Sequence, residues 1–286
     1  MNTSTRGWVN GLIGVVIFAG SMPATRVAVV DIPPLFLTGI RGCIAAALAI
    51  LLLVTFKQPR PVRSDLMSLL ITAIGVVLGF PLFSALALQY ISSAHALVFV
   101  GLLPVCTAIF GVLRGGEQPH PAFWLFSLLG SISVISYAAL GGIAMSIEGD
   151  LLMLAAVVVC GLGYAEGAKL SRRLGGWQVI SWALVISLPL MLPLAVFYWP
   201  DNLSEASTTA WIGLWYVSIF SMLVGFIFWY KGLALGGIAA VGQLQLLQPF
   251  MGLGLAAVLL HEQVNMSMIL ATCGAVFCVA LAKRYA

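Results

Sequence analysis

Charged side chains are scarce in this sequence: 13 Lys and Arg and 9 Asp and Glu make up 8% of 286 residues, against roughly a quarter in a soluble domain. That scarcity excludes a soluble globular protein. Together with 62% hydrophobic residues and a mean hydropathy of +1.10, it predicts an all-α integral membrane protein. Histidine is rarer still. His95, His120 and His261 are scattered, there is no HExxH pattern, and no aspartate falls inside an apolar run. No catalytic or metal-ligating set is therefore in view, and neither enzymatic activity nor a metal or cofactor is expected. The five cysteines (43, 106, 160, 273 and 278) are odd in number, lack CxxC spacing and lie within apolar runs, so they read as small buried hydrophobes rather than disulfide partners. No segment is long and polar enough to form a nucleotide-binding domain, so ATP is not expected to drive any cycle. The formal net charge of +4 reports membrane topology and gives no reason to expect a nucleic-acid partner.

What the chain does have is a succession of apolar runs of about 20 residues, the length that crosses the hydrocarbon of a bilayer as a helix. They fall near 8–29, 34–56, 66–88, 94–113, 121–140, 150–170, 177–199, 209–233, 238–260 and 265–282. Ten spans joined by short loops predict one helical bundle, and continuous rather than alternating apolarity excludes a β-barrel. The first run follows only Arg6, contains Pro23 and has no small-residue cleavage site, so it reads as an uncleaved first span. With the N-terminus inside, the inner segments hold eleven of the thirteen basic residues: Arg6, Lys57, Arg60, Arg63, Arg114, Lys169, Arg172, Arg173, Lys231, Lys283 and Arg284. Asp31, Glu148, Asp150, Asp201, Glu205 and Glu262 then lie outside. The positive-inside rule thus predicts cytoplasmic termini. Trp199, Trp211 and Trp215 near outer span ends read as an interfacial belt.

At an offset of 145 residues, "PVCTAIFGVLRGGEQ" stands over "PFMGLGLAAVLLHEQ". Pro104 meets Pro249, Glu117 meets Glu262, Gln118 meets Gln263, Phe83 meets Phe228, Leu88 meets Leu233 and Ala94 meets Ala239. This reads as two halves, 1–145 and 146–286, each of five spans. An odd number of spans forces the second half to enter the membrane from the opposite side. Inverted repeats around a central cavity are a recurring architecture of secondary transporters, with substrate near the midplane.

On "GSMPATRVAVVDIPPLFLTGIRGCIAAALA" (Gly20 to Ala49), with its Pro34 and Arg41, and on the two proline-to-glutamate stretches, nearly the whole chain resembles the ten-helix EamA-like branch of the drug/metabolite transporter superfamily. Within it, the chain resembles amino-acid exporters of the YddG type. The resemblance implies two inverted five-helix EamA-like repeats, a bacterial-type plasma (inner) membrane, a monomer or weak homodimer in the lipid bilayer, and a small-molecule substrate, most plainly an aromatic or aliphatic amino acid. Just before Pro104, where an exporter devoted to aromatic amino acids would place aromatic side chains, the chain has Gly101, Leu102 and Leu103, which suits aliphatic or mixed neutral amino acids. For Arg41 the resemblance implies a structural role, paired with helix carbonyls or a carboxylate; its place within a span also allows it to bind a substrate carboxylate or to snorkel outward.

The stretch "VGQLQLLQPFMGLG" carries three amides that a buried helix does not need. Gln245 and Gln248, three apart, share a face and read either as substrate ligands or as bonds between helices, whereas Gln243 points elsewhere. Pro104 and Pro249 read as kinks or hinges of the fourth and ninth spans. Phe80, Phe83, Ser84, Phe228, Trp229 and Tyr164 are candidate cavity walls, with packing or lipid contact as the competing roles. His95, beside Ser92 and Ser93 and one turn before Phe99, is either interfacial or part of the site, and the sequence offers it no proton partner. Glu166 is expected to pair with Lys169 three residues on, or to be a protonatable coupling group. The leading expectation is export of small neutral or zwitterionic metabolites. A multidrug-cation exporter would want a carboxylate in the first span, where "GLIGVVIFAGSMPA" has none; a non-transporting scaffold is the other alternative.

Overall fold

The computed structural model describes residues 2–91, 93–139, 146–260 and 266–286, and among these all regular structure is helical. Helix α1 (Thr3–Ala19) begins where the Asn2 side chain accepts the Thr5 N–H at 2.8 Å, satisfying one of the donors a helix start leaves free. It continues past Gly20 as α2 (Ser21–Asp31). Helix α3 (Pro34–Thr55) opens on proline, whose missing N–H costs nothing at a first position. Helix α4 (Arg63–Thr72) leads through a π-helical segment, Ala73–Gly79, into α5 (Phe80–Tyr90). Then come α6 (Ser93–Val100), α7 (Leu103–Gly115), α8 (Pro121–Ala139), α9 (Ile147–Leu174) and α10 (Gly176–Phe197). Helix α11 (Thr208–Trp215), a second π-helical segment, Tyr216–Val224, and α12 (Gly225–Gly236) form one rod. Helix α13 (Ile238–Gly242), a 3₁₀ segment, Gln243–Leu247, α14 (Gln248–Leu260) and α15 (Met266–Tyr285) complete the chain.

Six stretches among the described residues are long and apolar enough to cross a membrane: Thr3–Asp31, Pro34–Thr55, Arg63–Tyr90, Ile147–Leu174, Gly176–Phe197 and Thr208–Gly236. Leu103–Gly115 and Pro121–Ser136 are shorter apolar helices. Large apolar side chains such as Leu51, Val54, Leu113, Leu192 and Phe197 face outward, which suits a hydrocarbon solvent and would favour aggregation in water. Trp199 and Trp215 are exposed as well.

Two of the predicted spans are broken. Between α6 and α7 the chain turns at Gly101 and Leu102, and the stretch Gln243–Leu247 tightens to 3₁₀ before α14. Pro104 and Pro249 each occupy the second position of the helix that follows. They therefore start helices where a proline interferes with nothing, in place of kinking continuous ones. Helix α10 carries two prolines in its interior, Pro189 and Pro193.

Helix α1 packs lengthwise on α12, α3 on α10, α8 on α15, and α9 against α5 and α7. The α1–α12 contact is made through backbone: a Cβ added to Gly7 would lie 2.5 Å from the Gly236 nitrogen, and one added to Gly232 would lie 2.5 Å from the Gly11 nitrogen. Gly7 and Gly11, like Gly232 and Gly236, are four apart, the spacing that lets membrane helices approach closely.

One end of the bundle is closed by ion pairs between helices. Arg173 at the end of α9 pairs with Asp65 at the start of α4, Arg172 pairs with Glu117 at 2.7 Å, and Arg114 of α7 pairs with Glu166 of α9. Glu117 also accepts the backbone N–H groups of Ile238 and Ala239, each at 2.7 Å. Glu262 and Gln263, which the 145-residue offset sets against Glu117 and Gln118, lie outside the described residues, as do His261 and Ser92.

Candidate functional site

Where the rod α11–α12, the junction of α1 with α2, α3, the π segment and α5, α9 and the start of α14 converge, a cavity of ≈ 40 Å³ remains. By a measure in which roughly 10–15 Å³ holds one water, this is room for a few waters. Its walls are mixed. Phe18, Phe80, Phe226 and Tyr164 supply aromatic surface, while Ser21, Thr25, Ser84, Ser221, Gln248 and Arg41 supply polar groups.

These polar groups differ in how far they are already engaged. Ser21 donates from its hydroxyl to that of Ser221 at 2.7 Å, joining α2 to the second π segment. Ser84 donates to the Pro81 carbonyl at 3.3 Å. Gln248 donates from Nε2 to the Phe18 carbonyl at 3.3 Å, close to the outer limit of a useful bond, where the junction of α1 and α2 leaves that carbonyl accessible. Tyr164 packs edge-on against Trp229, ring centres 5.5 Å apart, and against Phe226 at 6.0 Å.

Arg41 stands apart. Its side chain is buried at 6% exposure and lines the cavity, its Nε has no hydrogen-bond partner, and it makes no ion pair among the described residues. Among the described residues, the pairing with carbonyls or a carboxylate implied by the resemblance is not made. At this burial the guanidinium does not lie on the outer surface of the bundle.

Of the ten residues expected to contact substrate, Arg41, Phe80, Ser84, Tyr164 and Gln248 meet at this cavity. The others do not reach it. Gln245 is 1% exposed in the 3₁₀ segment and off the cavity wall, with neither amide atom in a hydrogen bond among the described residues. Trp229, three residues beyond Phe226 on α12, is fully buried, its indole N–H without a partner among the described residues. Phe83 and Phe228 are half-buried away from the walls. His95 and Phe99 stack on each other at 5.8 Å, on α6. The partner that the sequence did not offer His95 is Asp150, with Nε2 2.9 Å from Oδ1, at the first turn of α9.

Glu166 is also placed differently from expectation. Its carboxylate, fully buried, receives the Arg114 guanidinium and a 2.8 Å hydrogen bond from Ser68. Lys169 points into solvent. Packing of α7 and α4 on α9 brings groups 52 and 98 residues away closer than the local neighbour. Phe18, Ser21, Thr25, Ser221 and Phe226 were not singled out in the sequence. The paired serines could have been noticed as hydroxyls within apolar runs, but only tertiary structure brings them together.

Known proteins place this arrangement. The EamA-like transporter family matches residues 5–138 and again 147–283. The chain is 62% identical over its whole length, and over the whole of the relative, to "Uncharacterized transporter YdeK" of Bacillus subtilis (strain 168). It is 24% identical to "Uncharacterized transporter YvbV" of the same organism, over 89% of this chain and 84% of that one. In fold it is similar to a protein of known crystal structure with a TM-score of 0.79 at 19% identity, over 97% of this chain and 96% of that one. By these matches and by its apolar helices, the protein is an integral membrane protein and belongs to the EamA-like transporter family.

Proposed function

We propose that this transporter exports small neutral or zwitterionic metabolites, amino acids foremost, by alternating access between two inverted five-helix repeats, 1–145 and 146–286. The observation that carries the substrate class is the lining of the cavity: amide, hydroxyl, guanidinium and aromatic groups converge there, with no carboxylate among the described residues. A multidrug-cation exporter needs an acidic group at its site, and the buried acid Glu166 is held by Arg114 away from the cavity.

The repeat reading is supported by irregularities that recur at the 145-residue offset. The π segments Ala73–Gly79 and Tyr216–Val224 coincide under it, as do the breaks at Gly101–Leu102 and Gln243–Leu247. The same offset relates residues of the cavity: Val76 corresponds to Ser221, Pro81 to Phe226 and Leu103 to Gln248, all six on its walls. In each pair but one the second half supplies the polar member. A cavity with room for a few waters admits an amino acid only if its walls part, and the broken spans, with fewer continuous helical bonds, are where such movement costs least. By the positive-inside rule the end closed by ion pairs is cytoplasmic, as are both termini, in a bacterial-type plasma membrane.

Counterflow of radiolabelled amino acids into liposomes containing the purified protein tests the proposal. Accumulation of one or more amino acids is expected. Accumulation of quaternary cations with no amino-acid signal would replace it with cation export, and no flux of either would leave a scaffold.

A further inference from the structure

We propose that Arg41 determines specificity by binding a ligand carboxylate: the cavity takes molecules that present a free carboxylate and rejects those in which that group is esterified, amidated or absent. This rests on the reading of the cavity as the substrate site.

Arginine keeps its proton in proteins, so a buried Arg41 is a standing positive charge, and burying such a charge unpaired is expensive unless a counter-charge or water meets it. Among the described residues, every acidic side chain is otherwise engaged or exposed. Asp65 holds Arg173, Glu117 holds Arg172, Glu166 holds Arg114, Asp150 holds His95 and Asp31 accepts from Ser207. Glu148, Asp201 and Glu205 are exposed. Among the described residues the protein supplies no anion for this guanidinium, while the cavity beside it has room for one. A guanidinium presents a planar fork of donors that fits a carboxylate through two parallel bonds. The Ser221 hydroxyl, which accepts from Ser21, and the second hydrogen of the Gln248 amide can add further donors. The same charge repels cations, for which the walls offer no acidic partner.

The test is binding to the purified protein of L-leucine and L-phenylalanine, each compared with its methyl ester, its amide, its deaminated acid and its decarboxylated amine. Wild type is expected to bind the carboxylates about 10- to 150-fold more tightly than the ester, amide and amine, the range of a hydrogen bond to a charged group. Arg41→Gln should erase that preference, and Arg41→Lys, which keeps the charge and loses the fork, should retain part of it. The comparison within wild type needs no variant to fold. Equal binding of amino acid and ester overturns the inference and leaves amino-acid transport standing. Binding of the deaminated acids without the amino acids supports the role of Arg41 and removes the amino-acid reading. Failure of every carboxylate in the set to bind overturns the role of Arg41.

Discussion

Replacing Gln248 by leucine separates a substrate ligand from a bond between helices. The side chain is buried at the start of α14, lines the cavity, and makes one long bond of 3.3 Å to the Phe18 carbonyl. Leucine is similar in size and more favourable in an apolar span, so neither packing nor insertion supplies a reason for loss. A polar bond between membrane helices averages about 0.6 kcal/mol, and one near the distance limit should not exceed that, so folding stability should fall by less than about 1 kcal/mol. A substrate group left without its partner in a dry cavity costs about 1–3 kcal/mol, roughly 5- to 150-fold in affinity. The expected result is thus a weakened ligand with a nearly unchanged melting temperature, measured by binding and thermal unfolding on the same purified sample. Gln243→Leu is the control. That amide is buried off the cavity and reaches only the Ala239 carbonyl of its own turn, at 3.5 Å, so affinity should hold. Equal affinity in wild type and Gln248→Leu would refute the reasoning and leave the glutamine as a link between α14 and α1.

The ion pair of Arg114 and Glu166 should respond unequally to loss of either partner: Arg114→Ala strands a fully buried carboxylate and should cost about 3 kcal/mol, the low end for a broken buried pair because Arg114 is half exposed, whereas Glu166→Gln leaves an arginine that water can reach and should cost less. Thermal unfolding in detergent compares them, and the reverse order would show that the carboxylate is not held as described. Gly232→Leu should destabilise or prevent accumulation of the protein, since even a Cβ there meets the Gly11 nitrogen at 2.5 Å and overpacking costs about 1–3 kcal/mol or more; normal yield and melting temperature would contradict the close α1–α12 contact. Single cysteines at Ser146 or Ser204 in a cysteine-free background should label from outside intact cells, and cysteines at Arg60 or Arg172 should not; the opposite pattern would invert the topology.

The sequence by itself determined the class of structure. With 8% charge and long apolar runs, the backbone must satisfy its own hydrogen bonds in lipid, and helices are what continuous apolarity permits. It also marked the irregular places, because proline and clustered amides are conspicuous where nothing polar is required, and Pro104, Pro249 and Gln248 fall at broken helices or on the cavity. Tertiary structure decided which groups meet. Periodicity assigned Glu166 to Lys169, but packing of α7 and α4 on α9 gave it Arg114 and Ser68, since distance along a chain says nothing of distance across a bundle. His95 found Asp150 for the same reason. Gln245, three residues from Gln248, is buried off the cavity wall even though a 3₁₀ turn brings positions three apart onto one face. Packing of the neighbouring helices rather than spacing along the chain decides which of the two amides lines the cavity. Arg41 could be read in sequence only as a charge within a span. That it is buried, on a cavity wall and, among the described residues, unpaired depends on where the other helices and loops place their carboxylates, a property of the assembled bundle that no stretch of the chain contains.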